Sequence, residues 1–247
     1  MIAYSYFAQF YDSLTYNVEY DKKAQYLLKL FERHHHTPGL TLDLACGTGS
    51  LTVELSRCGI DIFGADMSSD MLTVAQQKAC EAEQSILFLH QKMQHLHLYS
   101  TIDTCICTLD SINHLPSSEE VVKTFERVAQ YLNPDGLFVF DTNTVYKHQY
   151  ILGDNCYIYD TKDVFCAWQN NFNEKNNKVI VTLDFFEPDG KRYKRYSEQF
   201  SEKAYTRKEM TEMIHRSGLV LESVYDDMSF DEPKAELERE IYVVRKK

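Results

Sequence analysis

The chain has 247 residues, 44% of them hydrophobic, with a formal net charge of −11. That length holds one good-sized α/β domain with room for a smaller lobe, and no apolar run approaches a membrane span. An acidic surface repels phosphate chains, so nucleic acid is an unlikely partner. Cysteine is odd in number, 7, without a C-x-x-C pair. Cys46, Cys105, Cys107 and Cys166 fall in apolar strands, where they pack as small hydrophobes. No signal-peptide pattern opens the chain, and a reduced cytoplasmic protein is expected, with monomer and homodimer both open.

The segment from Tyr4 to Asp12 is rich in aromatics. It reads as a lid packed on the core. A helix follows, with Tyr20, Ala24, Leu27, Leu28 and Phe31 on one face. His34-His35-His36 comes next, and three adjacent histidines cannot all point one way. An exposed helix end is expected there, and no metal site.

Leu42-Asp43-Leu44-Ala45-Cys46-Gly47-Thr48-Gly49 reads as a buried strand running into a tight glycine turn that opens a helix at Ser50. Gly47 and Gly49 have no Cβ, so the backbone can turn sharply and lie against a ligand. The helix start adds free N–H groups and a positive dipole end. Such a unit is either the ligand turn of a doubly wound protein or a plain βα turn. A second strand, residues 60–65, ends in Asp66, whose carboxylate can accept hydrogen bonds from the two hydroxyls of a ribose. Met67 offers an apolar side chain to a flat ring. Ser68 or Ser69 then caps a helix through Met71, Leu72, Val74, Ala75 and Ala79.

A short strand over 86–89 leads into His90-Gln91-Lys92-Met93. The fourth strand, 102–109, runs into Asp110-Ser111-Ile112-Asn113-His114-Leu115 at the sheet edge where open α/β proteins place ligands. Ser117 to Glu120 reads as a capping box, and its helix buries Val121, Phe125, Val128 and Leu132. Asn133-Pro134-Asp135-Gly136 is a turn before a fifth strand, 137–140, which ends at Asp141.

From about residue 150 the character changes. Strands over 156–159, 164–168, 179–186 and about 192–205 follow without intervening helices, so they should be antiparallel, with a hairpin turn at Pro188-Asp189-Gly190. Thr206 to Glu209 is a second capping box, whose helix uses Met210, Met213 and Ile214 and stops at Gly218. Two last strands, 220–224 and 240–244, should close the core sheet as an antiparallel pair. The expected fold class is α/β: a Rossmann-like, seven-stranded, mostly parallel, doubly wound sheet with an inserted antiparallel β lobe. Residues 1–149 and 206–247 form the ligand domain, and 150–205 the lobe over the acceptor site.

D-L-A-C-G-T-G followed by A-D-M-S-S-D-M-L resembles the class I S-adenosylmethionine-dependent methyltransferases. Positions 45–52 read A-C-G-T-G-S-L-T and miss the first glycine of the dinucleotide fingerprint, which argues against a nicotinamide or flavin enzyme. The resemblance implies S-adenosyl-L-methionine as cofactor. The candidate contacts are Asp43, Ala45, Gly47 and Gly49 on the turn, Asp66 and Met67 after the second strand, and Leu109 and Asp110 beside the amino-acid part. The family's F-x-x-x-Y-D opening implies that Tyr11 lies over the pocket; packing alone is the other reading. At Lys92 the sequence departs from the family's usual aspartate, which receives the adenine amino group. A charged lysine cannot accept a hydrogen bond, so Gln91 and the backbone N–H of Met93 are left to read the ring.

Methyl transfer from a sulfonium needs alignment and water exclusion more than covalent help. A base serves when the acceptor is a protonated amine or a hydroxyl, and His114 is the candidate. Ser111-Ile112-Asn113-His114-Leu115 is similar to the S-I-x-H-L segment of bacterial sugar N-methyltransferases, in which the histidine lies near the acceptor amine. A loop hydrogen bond is the plainer role for His114. Asp141, Tyr146, Trp168 and Tyr205 are candidates to line the acceptor site, with packing as their alternative. The leading reading is methylation of a small-molecule acceptor. A tRNA base or a protein as acceptor, or a non-catalytic adenosylmethionine sensor, are the alternatives.

Overall fold

The computed structural model describes residues 5–15 and 17–247. Tyr4 lies outside them, as do the side chains of Tyr6 and Phe7. The seven-stranded sheet is built from β1 (Thr41–Leu44), β2 (Ile62–Asp66), β3 (Phe88–His90), β4 (Ile102–Cys107), β5 (Leu132–Asn143), β10 (Leu219–Asp226) and β11 (Arg239–Lys246). Its order is β10-β11-β5-β4-β1-β2-β3. The first five strands run parallel; β11 is antiparallel to both β5 and β10. The chain therefore winds outward from β1 in one direction, returns, and continues from β4 in the other. The crevice at the carboxyl ends of β1 and β4 is where such sheets hold ligands.

Both faces of the sheet are buried, so the strands read as nearly continuous apolar runs. Cys105, Cys107, Phe138 and Phe140 face Val121, Phe125 and Val128 of α5 (Ser118–Tyr131) and Met210, Met213 and Ile214 of α6 (Arg207–Arg216). Their neighbours Ile106, Leu137 and Val139 face the opposite way, onto Ala24, Leu27, Leu30 and Phe31 of α2 (Tyr20–Arg33) and Leu51 and Leu55 of α3 (Ser50–Arg57). α4 (Ser69–Glu81) packs beside α3 and covers β3. Among the described residues no helix is long and apolar enough to cross a membrane.

The second sheet has four antiparallel strands in the order β6 (Cys156–Asp160), β7 (Phe165–Asn173), β8 (Lys178–Asp189), β9 (Arg192–Lys203). Val179, Val181, Leu183 and Phe185 on its inner face pack on Phe10 and Leu14 of α1 (Ser5–Leu14). Phe10 and Phe185 stack at 5.7 Å between ring centroids.

Of the two candidate caps, Ser68 is the one that caps α4, accepting from the Met71 amide. Three local expectations change. Thr206 closes its capping box, whereas Ser117 only accepts from the Glu120 amide, at 3.4 Å. Asn133 to Gly136 do not stand apart as a turn but form an irregularity inside β5, with Asp135 at φ 62°. The histidine run is partly tied inward: His34 meets Glu222 and Tyr225, each at 3.0 Å, and His36 lies 2.7 Å from the Thr104 hydroxyl, while His35 stays exposed. A π-helical segment, Lys147–Leu152, links β5 to the second sheet and has no counterpart in the sequence reading.

Candidate active site

The β1–α3 turn is left-handed at Ala45 (φ 61°), Gly47 (φ 55°) and Gly49 (φ 73°). The two glycines do different work. A Cβ on Gly47 would meet nothing within 4 Å, whereas one on Gly49 would lie 2.8 Å from the Ala75 Cβ and 3.2 Å from its Cα. Gly47 therefore leaves an open face for a ligand, and Gly49 allows α3 to approach α4. Gly49→Ala should cost about 2–4 kcal/mol in chemical denaturation, from strain plus overpacking. Gly47→Ala should cost only about 1–2 kcal/mol, the backbone term alone. Equal costs would refute this division of labour.

α1 is drawn onto the turn through Asp12. Its carboxylate accepts from the Thr48 hydroxyl at 2.9 Å and pairs with Lys78 at 2.6 Å, and Lys78 also donates to Thr48 and Ser50. Tyr11 is thereby placed at the site. Burial pushes its phenol well above the ordinary range, and it hydrogen-bonds the phenol of Tyr20.

Asp43 is buried at the end of β1 and accepts from the Thr52 hydroxyl at 2.6 Å. Burial pushes its carboxyl up to about 7; the Thr52 bond opposes the rise and the charge of Asp66 adds to it. The folded chain thus holds this proton more tightly than the unfolded chain, whose value is 3.8. The associated stability is complete below the unfolded value and lost as pH rises through about 7. Thermal unfolding should show a midpoint that falls between about pH 4 and pH 7 and levels off above that, with a smaller fall in Asp43→Asn. An identical fall in both proteins would place the titration elsewhere.

Asp66 ends β2, and its carboxylate accepts from the Gly47 amide at 3.0 Å and the Ser68 amide at 2.8 Å. Burial raises its proton affinity; the Ser68, Gly47 and Met67 amides and the charge of His114 pull the other way without cancelling it. Two carboxylate oxygens offer about four lone-pair sites, so acceptor capacity remains for further donors. Gln91 has both ends of its amide bonded to the backbone of His97, at 3.0 and 2.8 Å, which closes the loop around the short 3₁₀ turn Met93–His95. Lys92 is exposed at the cap of that turn.

Leu109 and Asp110, just past β4, are both left-handed, at φ 57° and 53°. Their amides donate to the Asp141 carboxylate at 2.9 and 2.6 Å. Arg239 of β11 pairs with Asp141 at 2.5 Å and Asp110 at 2.6 Å, and Lys23 lies 3.5 Å from Asp141. Burial pushes Asp110 up, but Arg239, His114 and Lys147 outweigh it and hold the carboxyl at about 2. Asp141 is likewise held low by Arg239 and Lys23 against its burial. Neither Arg239 nor Lys23 carries a sequence signal: each is one charged residue in an element read for its apolar face.

His114 closes the 3₁₀ turn Ser111–His114. Asn113 fixes that turn: it is fully buried, donates to the carbonyls of Asn143 and Lys203, and accepts from the Asn143 amide at 2.9 Å. His114 Nε2 lies 3.9 Å from Asp110 and 3.8 Å from Glu202 of β9.

Part of this set borders one cavity that opens to solvent. Tyr11, Asp43, Ala45, Gly47, Asp66 and Met67 line it, as do Gln91, Met93, Leu109 and His114. Gly49, Lys92 and Asp110 are not among the lining residues, and neither is any described residue after Leu115. Asp141 acts as the amide acceptor already described. Trp168 packs in the second sheet with its N–H on Asn170, Tyr205 packs in the main core, and Tyr146 lies against Tyr150.

Residues 41–136 match the family described as methyltransferase domain. A Bacillus subtilis (strain 168) protein named "Putative methyltransferase YqeM" is 31% identical over 244 residues, 98% of this chain and 97% of its own. The crystal structure of an S-adenosylmethionine-dependent methyltransferase from Clostridium acetobutylicum ATCC 824 superposes with a TM-score of 0.88 at 30% identity, over 98% of each chain. A Streptomyces fradiae dTDP-3-amino-3,6-dideoxy-alpha-D-glucopyranose N,N-dimethyltransferase is 30% identical over 123 residues, 50% of this chain and 47% of its own.

Proposed function

Because the chain belongs to the class I S-adenosylmethionine-dependent methyltransferases, we propose that it methylates a nucleophilic atom of a small-molecule acceptor, with His114 taking the acceptor's proton. The observation that carries this reading is one cavity bordered by the open face of Gly47, the Asp66 carboxylate and His114. The amino-sugar dimethyltransferase relative and the net charge of −11 support a small acceptor over RNA or DNA.

The residues present fit the cofactor. Asp66 keeps acceptor capacity at the end of β2, Gly47 leaves its Cβ position empty, and Met67, 51% exposed, offers an apolar surface beside them. Asp66 would hold the ribose hydroxyls, Met67 and Met93 the adenine, and the turn from Ala45 to Gly47 together with Leu109 the amino-acid part. When bound, the cofactor supplies an electrophilic methyl group whose leaving group needs no protonation. Alignment and water exclusion then fall to Tyr11 and the α1 lid, tied down by Asp12. His114 keeps an amine or hydroxyl acceptor nucleophilic by removing its proton. Residues 150–205 form the lobe on the acceptor side: Phe200 and Glu202 of β9 reach His114, the former at 5.3 Å between ring centroids.

The test is a labelled methyl-transfer assay with purified protein, adenosylmethionine and a panel of amino sugars, amines and phenols. Transfer to at least one member is expected, and His114→Gln should lose about 10²- to 10⁴-fold in kcat. Full turnover in that variant would remove the base role.

A further inference from the structure

Glu202 is a buried carboxylate with one oxygen left without a hydrogen-bond partner among the described residues. It sits on the inner face of β9 with 5% of its surface exposed, and that oxygen is Oε2. Two imidazoles flank it instead. Oε1 lies 3.8 Å from His114 Nε2, and Oε2 lies 3.5 Å from His148 Nε2. His148 belongs to the π-helical segment, is fully buried, and its Nε2 likewise lacks a hydrogen-bond partner. Its Nδ1 is 3.4 Å from the carbonyl of Asn177.

Buried polar groups are nearly always satisfied, so two orphaned atoms facing each other call for an explanation. Distances of 3.5–3.9 Å are beyond a good direct hydrogen bond and are spanned by a water or by a small closing movement. Catalytic contacts are commonly long in a ligand-free site and shorten when the acceptor is bound.

We propose that Glu202 and His148 are positioning residues for His114, forming a His114–Glu202–His148 relay that carries the second sheet's influence into the reaction. Two carboxylates, Asp110 and Glu202, face His114 Nε2. That nitrogen therefore keeps its proton and donates toward them, which leaves Nδ1 as the basic atom. In the step, the N–H or O–H bond of the acceptor breaks, its electron pair stays on the acceptor atom, and the proton passes to Nδ1. The imidazolium so formed is stabilised by Glu202 and Asp110 and later releases its proton to water. His148 holds the far oxygen of Glu202, which fixes the carboxylate's orientation. The cluster has further charged neighbours: Arg239 on Asp110, Lys147 acting on Asp110 at longer range, and Asp66, which feels the His114 charge.

The relay rests on the base role proposed for His114, but half of its test needs no acceptor. Imidazole N–H resonances survive in proton–nitrogen spectra only where hydrogen bonding slows their exchange. Such resonances are expected for Nε2–H of both His114 and His148 in the full chain. Glu202→Leu should remove the His148 resonance and weaken that of His114, which still faces Asp110, and Glu202→Gln, with one accepting oxygen in place of two, should keep at most one of the bonds to Glu202. The second half is kinetic. Glu202→Gln lowers kcat about tenfold and moves the acid limb of its pH profile about one unit lower, since the imidazolium loses a facing charge. His148→Gln moves the limb in the same direction by less, with the KM for adenosylmethionine unchanged.

Survival of the His148 N–H resonance in Glu202→Leu, or an unmoved acid limb in Glu202→Gln, overturns the relay. So does any change in the wild-type resonances on adding a chelator, because one ligand atom each of Asp110, His114 and Glu202 lies within 4.8 Å of the others and a cation could fill that space. A full-rate His114→Gln with the resonances behaving as expected would instead fail the base reading and leave the pairing standing.

Discussion

Arg239→Met should destabilise the protein by about 3–5 kcal/mol, the usual cost of removing one partner from a buried ion pair. The guanidinium is 11% exposed and neutralises two carboxylates at once, Asp141 at 2.5 Å and Asp110 at 2.6 Å. The Asp141 carboxylate in turn holds a backbone that two left-handed, non-glycine residues, Leu109 and Asp110, would otherwise resist. In the wild type both carboxyls titrate below the unfolded value of 3.8, Asp110 at about 2. Their contribution is therefore present above the unfolded value and lost as pH falls through the folded one. Without Arg239, burial drives both upward, so protonation relieves the variant before it affects the wild type. Urea unfolding should show the full gap at pH 7 and a clearly narrower one at about pH 4.5. A gap independent of pH would mean that Arg239 matters for its packing and not for its charge. Arg239→Lys should recover less than half of the loss, because an ammonium cannot serve both carboxylates with a planar fork.

Asp66→Ala should weaken adenosylmethionine and adenosylhomocysteine binding by about 10²- to 10³-fold in calorimetric titration, the loss of two charge-assisted hydrogen bonds. A second effect acts through the protein. The carboxylate also anchors the Gly47 and Ser68 amides, so its removal loosens the glycine turn from the β2 end. Asp66→Asn separates the two contributions: it keeps one acceptor for the turn and loses the charge, and should sit between wild type and alanine. Unchanged affinity in Asp66→Ala would place the ribose somewhere other than this carboxylate. NAD should not bind either protein.

The course of the core sheet was legible because its physics is local. Apolar runs on β1, β4 and β5, helix faces such as Met210, Met213 and Ile214, and a Gly-x-Gly turn each act over a few residues and leave a pattern in order. The antiparallel sheet was legible for the same reason, since four strands without helices between them have little choice but to pair with their neighbours. The sequence by itself also put Gly47, Asp66 and His114 on three different strand ends of one edge, which was enough to foresee a single site. It could not separate Gly47 from Gly49, because only the position of Ala75 on a different helix shows which glycine serves packing and which leaves room for a ligand. Nor could it assign Asp141, Arg239, Lys23 or Glu202. Their roles come from charges far apart in the chain that meet only once the sheet has formed, as Arg239 meets Asp141 across 98 residues and Asp110 across 129, and an isolated charged residue in an element read for its apolar face has no periodicity to announce it. What tertiary structure decided, then, is electrostatic: which buried charges neutralise one another, and which carboxylate is left facing the histidine.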